Sequence, residues 1–165
     1  MQSFCALQKA KAKLRLPDVI KRNSIEASRL GKGEDKMIDY GFTKELKAGY
    51  EQAVEQVIEK LAKAGFGILT TIDVKEKFKQ KLGVDFKKYI ILGACNPANA
   101  RKAIEAEENI GLMLPCNVIV YEKGDGTVVS VIKPAVAMQM IDNPPLSKIA
   151  SEVETQLKQV FDSLE

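Results

Sequence analysis

Histidine and tryptophan are absent from the 165 residues, cysteine occurs three times, and aromatic residues make up only 6% of the chain. The missing histidine excludes His-based triads, zinc motifs built on His pairs and imidazole acid–base chemistry. Any reaction would have to draw on thiols, carboxylates, lysines, tyrosines or a cofactor. No apolar run approaches the ~18 residues that would cross a bilayer. The three cysteines, Cys5, Cys95 and Cys116, show no Cys-x-x-Cys spacing, so they read neither as a zinc ribbon nor as a secreted disulfide framework, and they point to a cytoplasmic protein. Within one subunit they cannot complete a tetrahedral zinc site without carboxylates; two subunits could each contribute Cys95 and Cys116 to make an all-thiolate site. The expectation is no metal and no cofactor.

What is present is an ordinary globular composition, 45% hydrophobic and 28% charged, with a mean hydropathy of −0.13. The net charge of +3 is unevenly spread. Residues 1–36 carry nine Lys or Arg against four Asp or Glu, and residues 37–165 carry sixteen against eighteen. The body is therefore slightly acidic and holds no stacking-aromatic motif, which argues against a nucleic-acid partner; nothing in it argues for a membrane. From Met1 to Pro17 there is no acidic residue, and Lys9, Lys11, Lys13 and Arg15 alternate with apolar residues. That pattern has the look of a transit peptide, while a solvated extension left by an early start codon is the plainer reading. Gly31-Lys32-Gly33 lacks the frame of a phosphate loop. Residues 1–36 are expected to be a dispensable basic extension, and 37–165 one domain.

Periodicity in that domain begins with a strand at Gly41–Leu46. Tyr50, Ala53, Val54, Val57, Ile58, Leu61 and Ala64 keep helical spacing, and Gly65 ends that helix. Phe66–Ile72 reads as a strand apolar on both faces, as an interior strand would be. Asp73 and Glu76 form a capping-box pattern before the narrow stripe Val74, Phe78 and Leu82. The six lysines between Lys75 and Lys88 do not share one helix face, because successive odd positions lie 200° apart, so a solvated helix is expected there. Lys88–Gly93 is an apolar strand. Asn96-Pro97 supplies an N-cap and a proline at N1 for a helix reaching about Glu108, whose inward face is Ala100, Ala103 and Ile104. Cys116–Glu122 and Thr127–Lys133 form a hairpin signalled by Asp125-Gly126. Ala135–Ile141 is too short to assign. Asn143 caps a final helix with Leu146, Ile149, Ala150, Val153, Leu157, Val160, Phe161 and Leu164 on one side. The order β-α-β-α-β-α-β-β-α predicts a single two-layer α+β domain, a largely antiparallel sheet with helices packed on it.

Candidate chemistry gathers where strands meet helix starts. Cys95 lies between a strand end and the Asn96-Pro97 helix start, where a helix dipole would favour a thiolate. Cys116 opens another strand, and Cys95-Asn96-Pro97 and Pro115-Cys116-Asn117 share a local composition. If the two strands are neighbours, both thiols and the amides of Asn96 and Asn117 would line one rim of the sheet. The plain alternative is that both cysteines pack as small apolar groups. Thr70 and Thr71, with Asp73, offer polar groups beside a helix N-terminus and a candidate ligand or anion site; their plain alternative is strand propensity and capping.

The segments Gly65-Phe66-Gly67-Ile68-Leu69-Thr70-Thr71-Ile72-Asp73, Tyr89-Ile90-Ile91-Leu92-Gly93-Ala94-Cys95-Asn96-Pro97 and Leu114-Pro115-Cys116-Asn117-Val118-Ile119-Val120-Tyr121 together resemble the family called domain of unknown function 302, over about residues 39–161. The resemblance implies a compact α+β domain that often pairs as a homodimer, and no established reaction. Two functional classes follow. One is a non-catalytic module that binds a small-molecule ligand or dimerises. The other is a thiol-dependent protein handling sulfur or redox species with Cys95 as nucleophile and Cys116 as partner. Whether the protein is an enzyme stays open at this level.

Overall fold

The computed structural model describes residues 39–165, so the expectations for residues 1–36, Cys5 among them, lie outside the described residues. The elements are β1 (Gly41–Leu46), α1 (Tyr50–Lys63), β2 (Gly67–Asp73), α2 (Val74–Leu82), β3 (Tyr89–Cys95), α3 (Pro97–Ala106), a 3-10 segment (Glu108–Met113), β4 (Cys116–Lys123), β5 (Gly126–Ile132), the one-turn α4 (Pro134–Ala137) and α5 (Pro144–Asp162). The three N-caps read from the sequence are made, although the Glu76 carboxylate accepts from Gln80 Nε2 and does not complete a capping box with Asp73. Glu76 N donates to Asp73 Oδ1 at 2.9 Å, Asn99 N to Asn96 Oδ1 at 3.2 Å and Leu146 N to Asn143 Oδ1 at 3.1 Å. Gly65, just past α1, takes φ 81°, a left-handed conformation that a side chain would strain.

The five strands form one antiparallel sheet in the order β1-β5-β4-β3-β2. The α+β fold and its element order follow the sequence reading; the 3-10 segment and α4 fill the stretches it left unassigned. Because β1 and β2 are opposite edges, α1 must carry the chain over four inter-strand gaps, roughly 19 Å. Fourteen helical residues span about 21 Å, so α1 crosses the sheet face diagonally and buries Ala53, Val57 and Leu61 against it.

Side-chain alternation sets which residues meet α1 and α5. Two cross-sheet rows face the helices: Leu92, Val118, Val131 and Phe42 in one, and Ile90, Val120, Val129 and Lys44 in the next. Against them α5 places Val153, Leu157, Val160 and Phe161. A buried aliphatic or aromatic side chain contributes about 1.5–3 kcal/mol, so this layer supplies most of the folding energy. Lys44, though on the inner face, threads past the ring of Phe161, and its Nζ donates to Leu164 O at 2.7 Å. Lys60 donates to Ser163 O beside it. The two ammonium groups satisfy carbonyls at the negative end of α5, and burial holds the Lys44 pKa below its ordinary value.

Three local readings are corrected. β2 is an edge strand and is mostly exposed, not an interior one; its run of Ile, Leu and Thr is apolar enough for either place, and sheet order is settled by packing between distant segments. The β4–β5 loop is the two residues Gly124-Asp125, tighter than the four residues Lys123-Gly124-Asp125-Gly126 left between the expected strands, because Lys123 pairs with Gly126, and it is Gly124 that takes φ 59°. Ile104 points outward on α3 and is 46% exposed, while Ala100 and Ala103 face inward.

All the capped elements lie after Met37. A chain starting at Met37 is expected to unfold cooperatively, with a stability within about 2 kcal/mol of the full protein in urea denaturation. A larger loss would mean that residues 1–36 bury at least one large apolar side chain.

Candidate functional site

Along the inner face the rows end at Ala94, which pairs with Cys116. Small side chains replace Leu and Val here. The helices above are small at the same level, with Ala100 and Ala103 on α3 and Ala150 on α5. Opposed small residues cannot fill the space between sheet and helices, and a small, half-open cavity of about 30 Å³ results. Its walls are Phe66, Ala94, Cys95 and Cys116 from the sheet side, α3 and α5 above, and Leu114, Pro134 and Met138 at the end. The lining is almost wholly apolar. Among the described residues no Asp, Glu, Lys or Arg lines it, and no three His, Cys, Asp or Glu stand together as metal ligands.

Both thiols border this space. Cys95 is partly exposed, and Cys116 is buried at 7% exposure. Burial pushes the Cys95 pKa up, and pushes that of Cys116 up to about 11, with a smaller push from the negative charge that Cys95 would carry. Both thiols are therefore neutral at pH 7. The sequence reading expected the start of α3 to favour the Cys95 thiolate. The structure shows why this help is weak: Pro97 has no N–H, and the Asn99 N–H is taken by the Asn96 side chain. The Asn99 Nδ2 in turn donates to Gln156 Oε1 at 3.3 Å, so the amides on this wall mainly tie α3 to its own start and to α5.

The other expected site residues divide between places. Asn96 lines the cavity beside Cys95. Thr70 and Asn117 lie on the opposite sheet face, two strands apart, on either side of Gly93 in register. Thr71 pairs with Leu92 on the edge strand and is exposed, away from both groups. The walls contributed by Phe66, Asn99, Met138, Leu146, Ile149 and Val153 went unread as site residues. The usable signal was the recurrence of alanine at positions 100, 103 and 150 on helices that would otherwise present bulkier side chains.

Gly93 is required by the second face. A Cβ there would collide with Thr70 Oγ1 and stand 2.6 Å from Pro115 Cγ. Strand propensity alone would make alanine at this position favourable by about 0.5–1 kcal/mol, so the sign of the effect is informative. Gly93→Ala is expected to destabilise the domain by about 1–3 kcal/mol in denaturant unfolding through overpacking; a neutral or stabilising result would show that Thr70 and Pro115 move aside freely.

The family model described as "Domain of unknown function DUF302" matches residues 42–164. A solved structure, the crystal structure of an uncharacterized conserved DUF302 protein from Bacillus stearothermophilus, is similar to this chain with a TM-score of 0.72 and 30% sequence identity, over 78% of this chain and 100% of that one. No curated protein matches. The match covers β1 through α5, including both cysteines and every wall of the cavity, and the protein belongs to the DUF302 family.

Proposed function

We propose that the protein is a non-catalytic binding module whose cavity takes a small apolar ligand, working in a reducing compartment such as the cytoplasm. The observation that carries this reading is the cavity itself. It is concave, bounded by sheet and helices, nearly devoid of polar surface, and furnished with two neutral thiols and two largely committed amides. Its lining offers no acid, base or cation around a common point, which is what a catalytic reading would ask for. A second observation supports homodimerisation. Tyr89, Ile91, Ile119 and Tyr121 lie half-buried on the sheet face away from α1 and α5, and none of them belongs to the main core. Tyr89 and Tyr121 stack there with ring centroids 5.3 Å apart. An apolar sheet face of this kind suits a two-fold partner. The alternative, thiol-dependent handling of sulfur or redox species by Cys95 with Cys116, draws on the placement of both thiols at one cavity but lacks an acidic thiol.

The chain's lack of tryptophan makes indole a clean fluorescent probe of the cavity. Indole is expected to bind, and to slow alkylation of Cys95 by iodoacetamide, while Ala100→Phe removes both effects and leaves cooperative unfolding in place. Cys95 should react slowly at pH 7 and faster as pH rises, with Cys116 slower still, because both pKa values are raised. Indole binding that survives Ala100→Phe would overturn the cavity reading. Cys95 reacting at pH 7 faster than a free cysteine of pKa about 8.5 would favour the thiol reading instead.

For the dimer, light scattering at roughly tens of micromolar should give twice the chain mass, a range in which a standard-sized interface is occupied. Replacing Ile119 by Lys should return the monomer. A monomeric wild-type protein would remove the dimer from the proposal.

A further inference from the structure

Among the described residues, half of the large apolar side chains most exposed to solvent fall within one stretch of sequence. They are Leu69 at 64%, Ile72 at 43%, Leu82 at 66%, Val84 at 46% and Phe86 at 38% exposure. They belong to edge strand β2, to α2, which has no buried residue, and to the loop that follows it. Phe86 is held by edge-on contact with Phe78, centroids 5.1 Å apart, so the loop is braced against α2. The same stretch holds six lysines, Lys75, Lys77, Lys79, Lys81, Lys87 and Lys88, against Asp73, Glu76 and Asp85. Lys79 pairs with Asp85 at 2.8 Å and Lys88 with Glu51 at 2.5 Å, and Lys87 Nζ lies 4.2 Å from the centroid of the Tyr121 ring; Lys75, Lys77 and Lys81 make no ion pair among the described residues. Exposed apolar side chains among unpaired lysines that project from different sides of α2 ask for a partner that is both apolar and anionic.

We infer that the edge formed by β2, α2 and the loop to Lys88 docks peripherally on anionic lipid surfaces, with Leu82, Val84 and Phe86 entering the headgroup boundary and the lysines facing lipid phosphates. Charge decides among the occupants. A second copy seated on this edge would set lysine against lysine. A single-stranded nucleic acid would match the charge but stack on aromatic faces, and the most exposed residues here are the aliphatic Leu82 and Leu69. Basic residues around a short apolar tip are the arrangement that an anionic bilayer surface accommodates. The contact is peripheral, since no described helix is long and apolar enough to cross a membrane.

The test is sedimentation of the full chain with vesicles of phosphatidylcholine mixed with phosphatidylglycerol, against vesicles of phosphatidylcholine alone. Because Lys9, Lys11, Lys13 and Arg15 add charge outside this edge, a variant with these four changed to Glu serves as the background. That background is expected to bind the mixed vesicles, to bind phosphatidylcholine vesicles far less, and to release at high salt. Adding Lys75→Glu, Lys81→Glu and Lys87→Glu should weaken binding by at least about fivefold per lysine. Adding Leu82→Ser, Val84→Ser and Phe86→Ser to the background instead should abolish it. These side chains are exposed, so thermal unfolding should stay cooperative; if the Ser triple does not fold, Leu82→Ser with Val84→Ser provides the same comparison. Loss of binding in the background alone, retention after the Ser changes, equal binding to both vesicle types, or an effect of these variants on oligothymidine binding or on chain mass but not on vesicles would each overturn the inference.

Discussion

The packing of α1 and α5 onto two cross-sheet rows of aliphatic side chains is the constraint on which the rest of this structure depends. Leu92, Val118 and Val131 in one row and Ile90, Val120 and Val129 in the next are fixed to the inner face by the period of two in a strand. A slip of one residue in β4 would turn Val118 and Val120 outward and bring Asn117 and Ile119 in, which the buried layer would not tolerate. The register that protects the core therefore also sets where each row ends. It ends at Ala94 and Cys116, beneath Ala100, Ala103 and Ala150. The cavity follows from the core, being the place where the same layer continues with side chains too small to fill it.

The same apolar layer governs the chemistry of the thiols. A thiol at a helix start is a familiar route to a reactive thiolate, yet here burial disfavours charge, Pro97 has no N–H, and the Asn99 N–H is taken by the Asn96 cap. Desolvation acts on both cysteines in one direction, and more strongly on the deeper one. What remains is a pair of small, polarizable, neutral groups in an apolar wall.

Legibility differed sharply between local and non-local features. Asp73, Asn96 and Asn143 could be read as caps because the partner of each is a backbone amide three residues away, and Gly65 as a helix end because only the local backbone conformation is at stake. The β4–β5 hairpin was legible to within one residue of its loop for the same reason. By contrast, β2 reads as an interior strand and is an edge, and Ile104 reads as inward and faces out. Neither outcome is encoded by neighbours in the chain; each depends on which distant surface arrives. Cys95 shows the intermediate case: its place before the cap of α3 is local and was legible, but the burial that decides its charge comes from elements on both sides of it.

By itself the sequence determined the elements, their order and their ends, the α+β class, and the absence of histidine chemistry, because these rest on periodicity, backbone propensity and composition, which act over a few residues or on the whole chain at once. Only the tertiary structure decided that α1 spans the sheet from edge to edge, that Cys95, Cys116 and three helical alanines share one cavity while Thr70 and Asn117 flank Gly93 on the other face, and that the β2–α2 edge leaves its apolar residues in solvent. Those facts depend on strand order and on the fit of side-chain volumes between segments far apart in the chain, and such fits are set by long-range packing rather than by any local pattern.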